Sequence, residues 1–238
     1  MTPLFSSPYV TTDIFRRDWL HCVDLGIGAD FGGNLFKVLR SKMPGANIDA
    51  RTAALWTKIL GWYEENDVQD RLPELTPTWI QASNDKPPKL KGNASTTRAL
   101  IPFMYEAAEE LLDSQDPIEN AMQIAAYHLL ECYHCLCKNE LDWRTILPAS
   151  STSFVLQYKA LADHHDGVDW RCKPKLHHFL ELCKGTSKPN MSWTYRDEDY
   201  GGTVASMARN CGGITSPKIT SDRTLRLFKQ QNPVPRLC

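Results

Sequence analysis

No uninterrupted apolar run in this sequence approaches the roughly 20 residues that cross a bilayer, and the opening Met-Thr-Pro-Leu-Phe-Ser-Ser-Pro lacks the basic region and apolar stretch of a secretory signal. A membrane protein is excluded and a soluble, intracellular one is expected. Charge of one sign is missing too: 27 Lys and Arg stand against 28 Asp and Glu, for a formal net charge of -1. Duplex binding driven by a global positive field is thereby excluded, so any nucleic-acid contact has to come from a local patch. The chain has no P-loop, no G-x-S-x-G elbow and no H-E-x-x-H pair. The glycines of Leu25 to Gly33 miss the G-x-G-x-x-G spacing and follow no apolar strand, which excludes a dinucleotide site. No period of tens of residues recurs, so a solenoid is excluded as well.

What is present is enough apolar mass for one real core or two small ones: 238 residues, 42% hydrophobic and 10% aromatic. Cysteines occur at 22, 132, 135, 137, 172, 183, 211 and 238. That irregular spacing in a long chain predicts reduced, mostly buried thiols rather than a disulfide framework.

The apolar pattern is helical almost throughout. Leu20, Val23, Leu25, Ile27, Phe31, Leu35, Phe36 and Leu39 form a stripe interrupted by Gly26, Gly28, Gly32 and Gly33, which predicts a helix from about Asp30. Leu55, Trp56, Ile59, Leu60 and Tyr63 predict a helix over roughly Asp49 to Glu65. Leu100, Met104, Ala107, Ala108, Leu111 and Leu112 restore the period after a proline-rich stretch. At Asp116-Pro117-Ile118-Glu119, a capping acid, a proline suited to the first helical position and a capping-box acid announce a helix to about Lys138. Phe154 to Ala162, Leu176 to Cys183, Asp197 to Arg209 and Ser221 to Gln231 complete the set. Only Tyr9 to Thr12 and Ser192 to Tyr195 alternate as strands do. The expected fold class is mainly α, a compact helical bundle with little or no sheet. We expect a single helical unit over 1-238, with a Pro-rich basic connector at 72-93 and a basic C-terminal tail at 218-238.

Four groups could carry chemistry. Asp18, His21 and Asp24 lie within seven residues, where either carboxylate could orient the imidazole or hold a divalent cation. The plainer reading makes Asp18 a helix cap and His21 a half-buried side chain. Asp197, Glu198 and Asp199 are consecutive acids whose repulsion a cation would relieve, yet acids are also favoured at any helix start. Lys173, Lys175, His177, His178 and Glu181 form either a phosphate-facing cluster or one solvated helix edge. His128, Cys132 and Cys135 share a helical face that could bind zinc, but Ala125, Leu129, Cys132 and Leu136 also read as a buried stripe, and the stripe is the better account. Basic side chains concentrate at Lys86, Lys89 and Lys91 and in the tail, where Lys218, Arg223, Arg226, Lys229 and Arg236 exceed the acids by four. These are the phosphate-facing candidates.

The segment Asp13 to Gly26 resembles the D-x-x-H-x-x-D-L-G region around the second catalytic aspartate of DDE transposases, whose RNase H-like core carries a helical insertion. The likeness is nearest to a large set of transposon-derived proteins common in dinoflagellate genomes. It extends to Pro87-Pro88-Lys89-Leu90-Lys91-Gly92, Lys173-Pro174-Lys175-Leu176-His177-His178-Phe179, the stretch Trp193 to Gly202, and Asn232-Pro233-Val234-Pro235-Arg236. Carried over, the resemblance makes Asp18 the second catalytic acid, Glu198 the third and His21 a helper, with Mg²⁺ held by Asp18 and Glu198. The first acid and its sheet have no counterpart here, since only 17 residues precede Asp18. The resemblance therefore implies the helical insertion and C-terminal part of a transposase core, unable to cut or join DNA by itself. Weak nucleic-acid binding is what would remain, and the nucleus is left open as its compartment. The alternative is a helical protein-protein interaction module whose acids only cap helices.

Overall fold

In the computed structural model the described residues are 17–137, 142–165, 167–191, 194–210 and 217–231, without the side chains of 196–200, 217, 229 and 231. They fold as a mainly α-helical bundle, and no residue among them lies in a strand. None of their helices is long and apolar enough to cross a membrane. Contacts gather the chain into two compact units, Met1–Ser192 and Trp193–Cys238. Of the two strand candidates, Tyr9 to Thr12 lies outside the described residues; in the second, Tyr195 opens a helix while Ser192 and Trp193 lie outside them.

In the first unit the helices are α1 (Ala29–Lys42), α2 (Ile48–Glu65), α3 (Pro77–Ile80), α4 (Ala94–Ala99), α5 (Ile101–Leu111), α6 (Pro117–Cys137), α7 (Trp143–His164) and α8 (Pro174–Cys183). A wide-wound π-helix, Leu20–Gly28, runs straight into α1. Helix α1 is the centre of the unit, because every residue from Ala29 to Phe36 is buried. Its two phenylalanines seed two aromatic clusters. Phe31 meets Phe154 at 5.5 Å and Trp170 at 5.8 Å between ring centroids, and Phe154 continues through Phe179 to Trp19. Phe36 meets Phe103, which meets Trp62. Edge-to-face pairs of this kind add to simple burial.

The cap at Asp116 forms as the sequence predicts, with Oδ1 accepting from the backbone of Ile118 at 2.8 Å and Glu119 at 3.0 Å. Glu119 departs from a capping box. Its Oε2 reaches back to the Asp113 amide at 2.8 Å and its Oε1 pairs with Lys42 at 2.5 Å, because the Asp116 amide is already bonded to the Asp113 carbonyl. Helix α7 starts before Phe154 and carries Pro148 inside it, where Ser151 and Thr152 hydroxyls donate to the proline's carbonyl. Four of the six described cysteines, at 22, 132, 135 and 183, are buried and all six are free thiols.

The proline-rich stretch 72–93 folds back on the bundle. Leu72, Leu75, Ile80 and Leu90 are buried, and prolines confine helix to the single turn of α3. The backbone of Leu90 donates to the Ala29 carbonyl at 2.8 Å, and that of Lys89 to the Ile80 carbonyl at 2.9 Å. These bonds pin the Lys89 loop against the start of α1.

Between α7 and α8, Trp170 is 1% exposed with φ of 53°, a left-handed conformation rare for a bulky residue. Three successive turns of α1 fix its segment. Asp30 pairs with Lys173 at 2.8 Å, Asn34 Oδ1 accepts from the Trp170 amide at 2.9 Å, and Lys37 pairs with Asp169 at 2.8 Å. His165 stacks on Trp170, and its Nε2 is buried without a hydrogen-bond partner. Burial holds the His165 pKa below the ordinary imidazole value, and burial does the same to His128. The native chain therefore binds fewer protons than the unfolded one below about pH 6.5, so stability is full above that value and falls as pH drops through the depressed pKa values. Urea midpoints should drop from about pH 7.5 to about pH 5.5, and His165→Gln should flatten that dependence. An unchanged slope in the variant would remove His165 from this account.

The second unit contains α9 (Tyr195–Asn210) and α10 (Pro217–Gln231). Met207 and Thr224 are its buried described side chains, while Val204, Ile219 and Leu225 are exposed.

Candidate nucleic-acid interface

The π-helix is where three of the sequence segments of interest meet. Its first turn is fixed by Asp18, whose Oδ2 accepts from the His21 amide at 2.9 Å and lies 2.6 Å from His21 Nδ1. Asp18 thus caps the helix, and His21 is exposed beside it. Asp24, one winding further on, is fully buried and accepts a short hydrogen bond from the Tyr133 hydroxyl. The three polar residues do not share one face: two are at the surface end and one is in the core.

At Gly26 the helix kinks, with φ -108° and ψ -108°. Wide winding and a kink turn carbonyls out of the regular ladder, and such groups need other donors. Lysines supply them. Lys175 Nζ donates to the His21 carbonyl at 2.6 Å, and Lys89 Nζ donates to the Leu25 carbonyl at 2.8 Å. Lys173, two residues from Lys175, sits on Asp30 at the start of α1. Lysines separated by more than eighty positions are thus gathered at one kink. Burial lowers the Lys89 pKa most, Asp30 opposes that, and Lys175 and Lys173 lower it further, as expected for ammonium groups held within electrostatic reach of one another.

Glycines make the approach possible. A Cβ on Gly26 would lie 2.7 Å from Lys175 Cδ, and one on Gly33 would lie 2.4 Å from the Lys89 backbone nitrogen. The first neighbour is a flexible side chain, whereas the second is backbone pinned at both sides. Gly33→Ala should cost about 1–3 kcal/mol by overpacking and displace the Lys89 loop. Thermal unfolding together with the Lys89 resonance position checks this; an unshifted loop contradicts it.

The other candidates are distributed as follows. Lys86 is exposed on the same loop, and Lys91 lies over the Trp79 ring at 5.8 Å. Arg17 pairs with Glu181 at 2.6 Å, and His177 and His178 face the same carboxylate. In the second unit Arg223 and Arg226 are exposed on α10, while the Lys229 side chain lies outside the described residues. Glu198 is on α9, and its side chain lies outside them too.

Among the described residues no three His, Cys, Asp or Glu side chains are placed to hold an ion. The Asp18 carboxylate is engaged by His21, and Cys132 and Cys135 are core side chains on α6. The Mg²⁺ reading pairs Asp18 with Glu198, whose side chain lies outside the described residues, and Cys132 and Cys135 pack in the core rather than around an ion. Cys22 is no nucleophile, since burial pushes its thiol up to about 12 despite the opposing charge of Lys175.

Comparison with family models, curated proteins and solved structures finds no match. Function has to be read from the chain's own residues. Lys173 pairs with the buried Asp30, while Lys89 and Lys175 meet only π-helix carbonyls, on a protein of nearly zero net charge. Sequence reasoning marked the lysines but missed Asp30, Gly33 and the Tyr133–Asp24 bond. The adjacent Gly32-Gly33 inside a helical stripe was the available signal for a close backbone approach.

Proposed function

We propose that this chain is a transposase-derived helical protein that binds nucleic-acid backbone through Lys89, Lys173 and Lys175 and does not cut or join DNA by itself. The observation that carries the reading is the convergence of Lys89, from the proline-rich loop, and Lys175, from the first turn of α8, on the kinked π-helix, with Lys173 on Asp30 at the start of α1; both segments belong to the resemblance. Ammonium groups suit phosphate oxygens as point charges, and a backbone-directed contact needs no base readout. Arg223 and Arg226 on α10 offer a further phosphate-facing surface within the second unit.

Contacts of this type release counterions. Affinity for a short duplex should therefore fall between about 50 and about 200 mM salt, with a log-log slope of roughly -2 to -3 for two or three neutralised phosphates. Fluorescence anisotropy of a labelled duplex measures it, and a salt-independent affinity would overturn the reading. A second reading, an interaction module with no catalytic site, is favoured by one observation: Asp18 does the work of a helix cap. Salt-independent duplex binding, or none, would leave that reading standing.

A further inference from the structure

The α5–α6 hairpin borders an open surface groove of about 380 Å³, lined by Tyr105 and Glu109 of α5 and by Asn120, Gln123, Tyr127 and His128 of α6. That volume falls in the ~300–1,000 Å³ range of small-ligand sites. Its lining is unusual for a gap between helices, because it combines aromatic faces with several hydrogen-bonding groups. The Tyr105 and Tyr127 rings lie 5.8 Å apart at 57°, and Tyr127 is 43% exposed. Tilted in this way, the two rings do not stack face to face. A planar ligand can therefore lie on Tyr127 while Tyr105 borders its edge.

The polar groups are held ready. The Gln123 amide nitrogen donates to the carbonyls of Ala108 and Leu112, each at 3.2 Å, which fixes the carboxamide and leaves its oxygen as the remaining acceptor. The His128 ring packs edge-on against Tyr127 at 5.2 Å and borders the same space. Asn120 adds a second carboxamide.

We propose that this groove binds a nucleobase, a flat heteroaromatic ring that stacks on Tyr127 beside His128 and exchanges hydrogen bonds with Asn120 and Gln123. A simple anion would leave the ring face unused, and an aliphatic side chain would leave the polar groups unpaired. The inference goes beyond the phosphate-binding reading and does not depend on it: lysines meet backbone phosphates, whereas this groove meets a base that is unpaired and unstacked. The base can come from a free nucleoside or from a single strand.

The test is titration with adenosine, an uncharged probe, followed on the His128 ring proton, which is identified by its loss in His128→Gln. The expected result is a saturable shift whose dissociation constant is unchanged between about 50 and about 200 mM salt, in contrast to phosphate contacts. Ribose 5-phosphate, which lacks the base, should give no shift. Tyr127→Ala, at an exposed position, should weaken adenosine by roughly five- to a hundredfold, the range for losing one stacked base. Asn120→Ala should weaken it as well. Competition by a single-stranded adenine oligomer would assign the base to strands, and adenosine binding without such competition would assign it to free nucleoside. No saturable shift, an equal shift with ribose 5-phosphate, or an unaltered constant in both variants would overturn the proposal. Duplex binding by the lysines could survive any of these results.

Discussion

Trp170→Ala should destabilise the first unit by about 3–5 kcal/mol, the range for removing a large aromatic from a packed core. Trp170 is 1% exposed and touches Phe31, Tyr158 and His165, so its loss opens a hole where α1, α7 and the 169–173 segment meet. The left-handed backbone at this position adds a sharper expectation. Glycine normally costs more than alanine inside a structure, but at φ of 53° the alanine Cβ is strained and glycine is not. Trp170→Gly should therefore be the more stable of the two, by about 1 kcal/mol. Chemical denaturation of both variants gives the comparison. The opposite order would show that the Asn34 bond does not hold this conformation.

Lys173→Met should cost about 3 kcal/mol, the low end for breaking a buried ion pair, because Lys173 itself stays 35% exposed. The damage is to the partner: the Asp30 side chain is only 6% exposed and loses its cation. Adding Asp30→Asn to Lys173→Met should recover most of the loss, since the buried charge disappears with it. A double variant no more stable than Lys173→Met would mean that the pair is not what Lys173 contributes. This result also separates the lysines by task. Lys173 holds the fold and borders the basic face, whereas Lys89 and Lys175 anchor only to carbonyls.

Helices with an uninterrupted apolar period were legible in the sequence. Asp49 to Glu65 is observed as Ile48–Glu65, and the start signal at Asp116 opens Pro117–Cys137. Legibility failed where long-range contacts decide local form. The stripe before Asp30 reads as a weakened helix because of its glycines, and only lysines from two remote segments, the proline-rich loop and the first turn of α8, show why a π-helix with a kink is tolerated there. Leu72, Leu75, Ile80 and Leu90 are spaced too irregularly among prolines to announce that their stretch packs on α1. The site was half visible in the same way. Lys89, Lys173 and Lys175 are conspicuous as basic residues, but their convergence is a property of the chain's path. Nothing local in Asp30 or Trp170 signals an ion pair in the core or a left-handed aromatic.

The central claim is that lysines from two remote segments, the proline-rich loop and the start of α8, act as one phosphate-binding face. Its most direct test is the salt dependence of duplex affinity in the Lys89→Gln/Lys175→Gln double variant, with Lys173 kept so that Asp30 stays paired. Each lost phosphate contact should reduce the slope by about 1, so the double variant, compared at a temperature where circular dichroism shows it folded, should be shallower than the parent by about 2. An unchanged slope with an intact fold would contradict the claim.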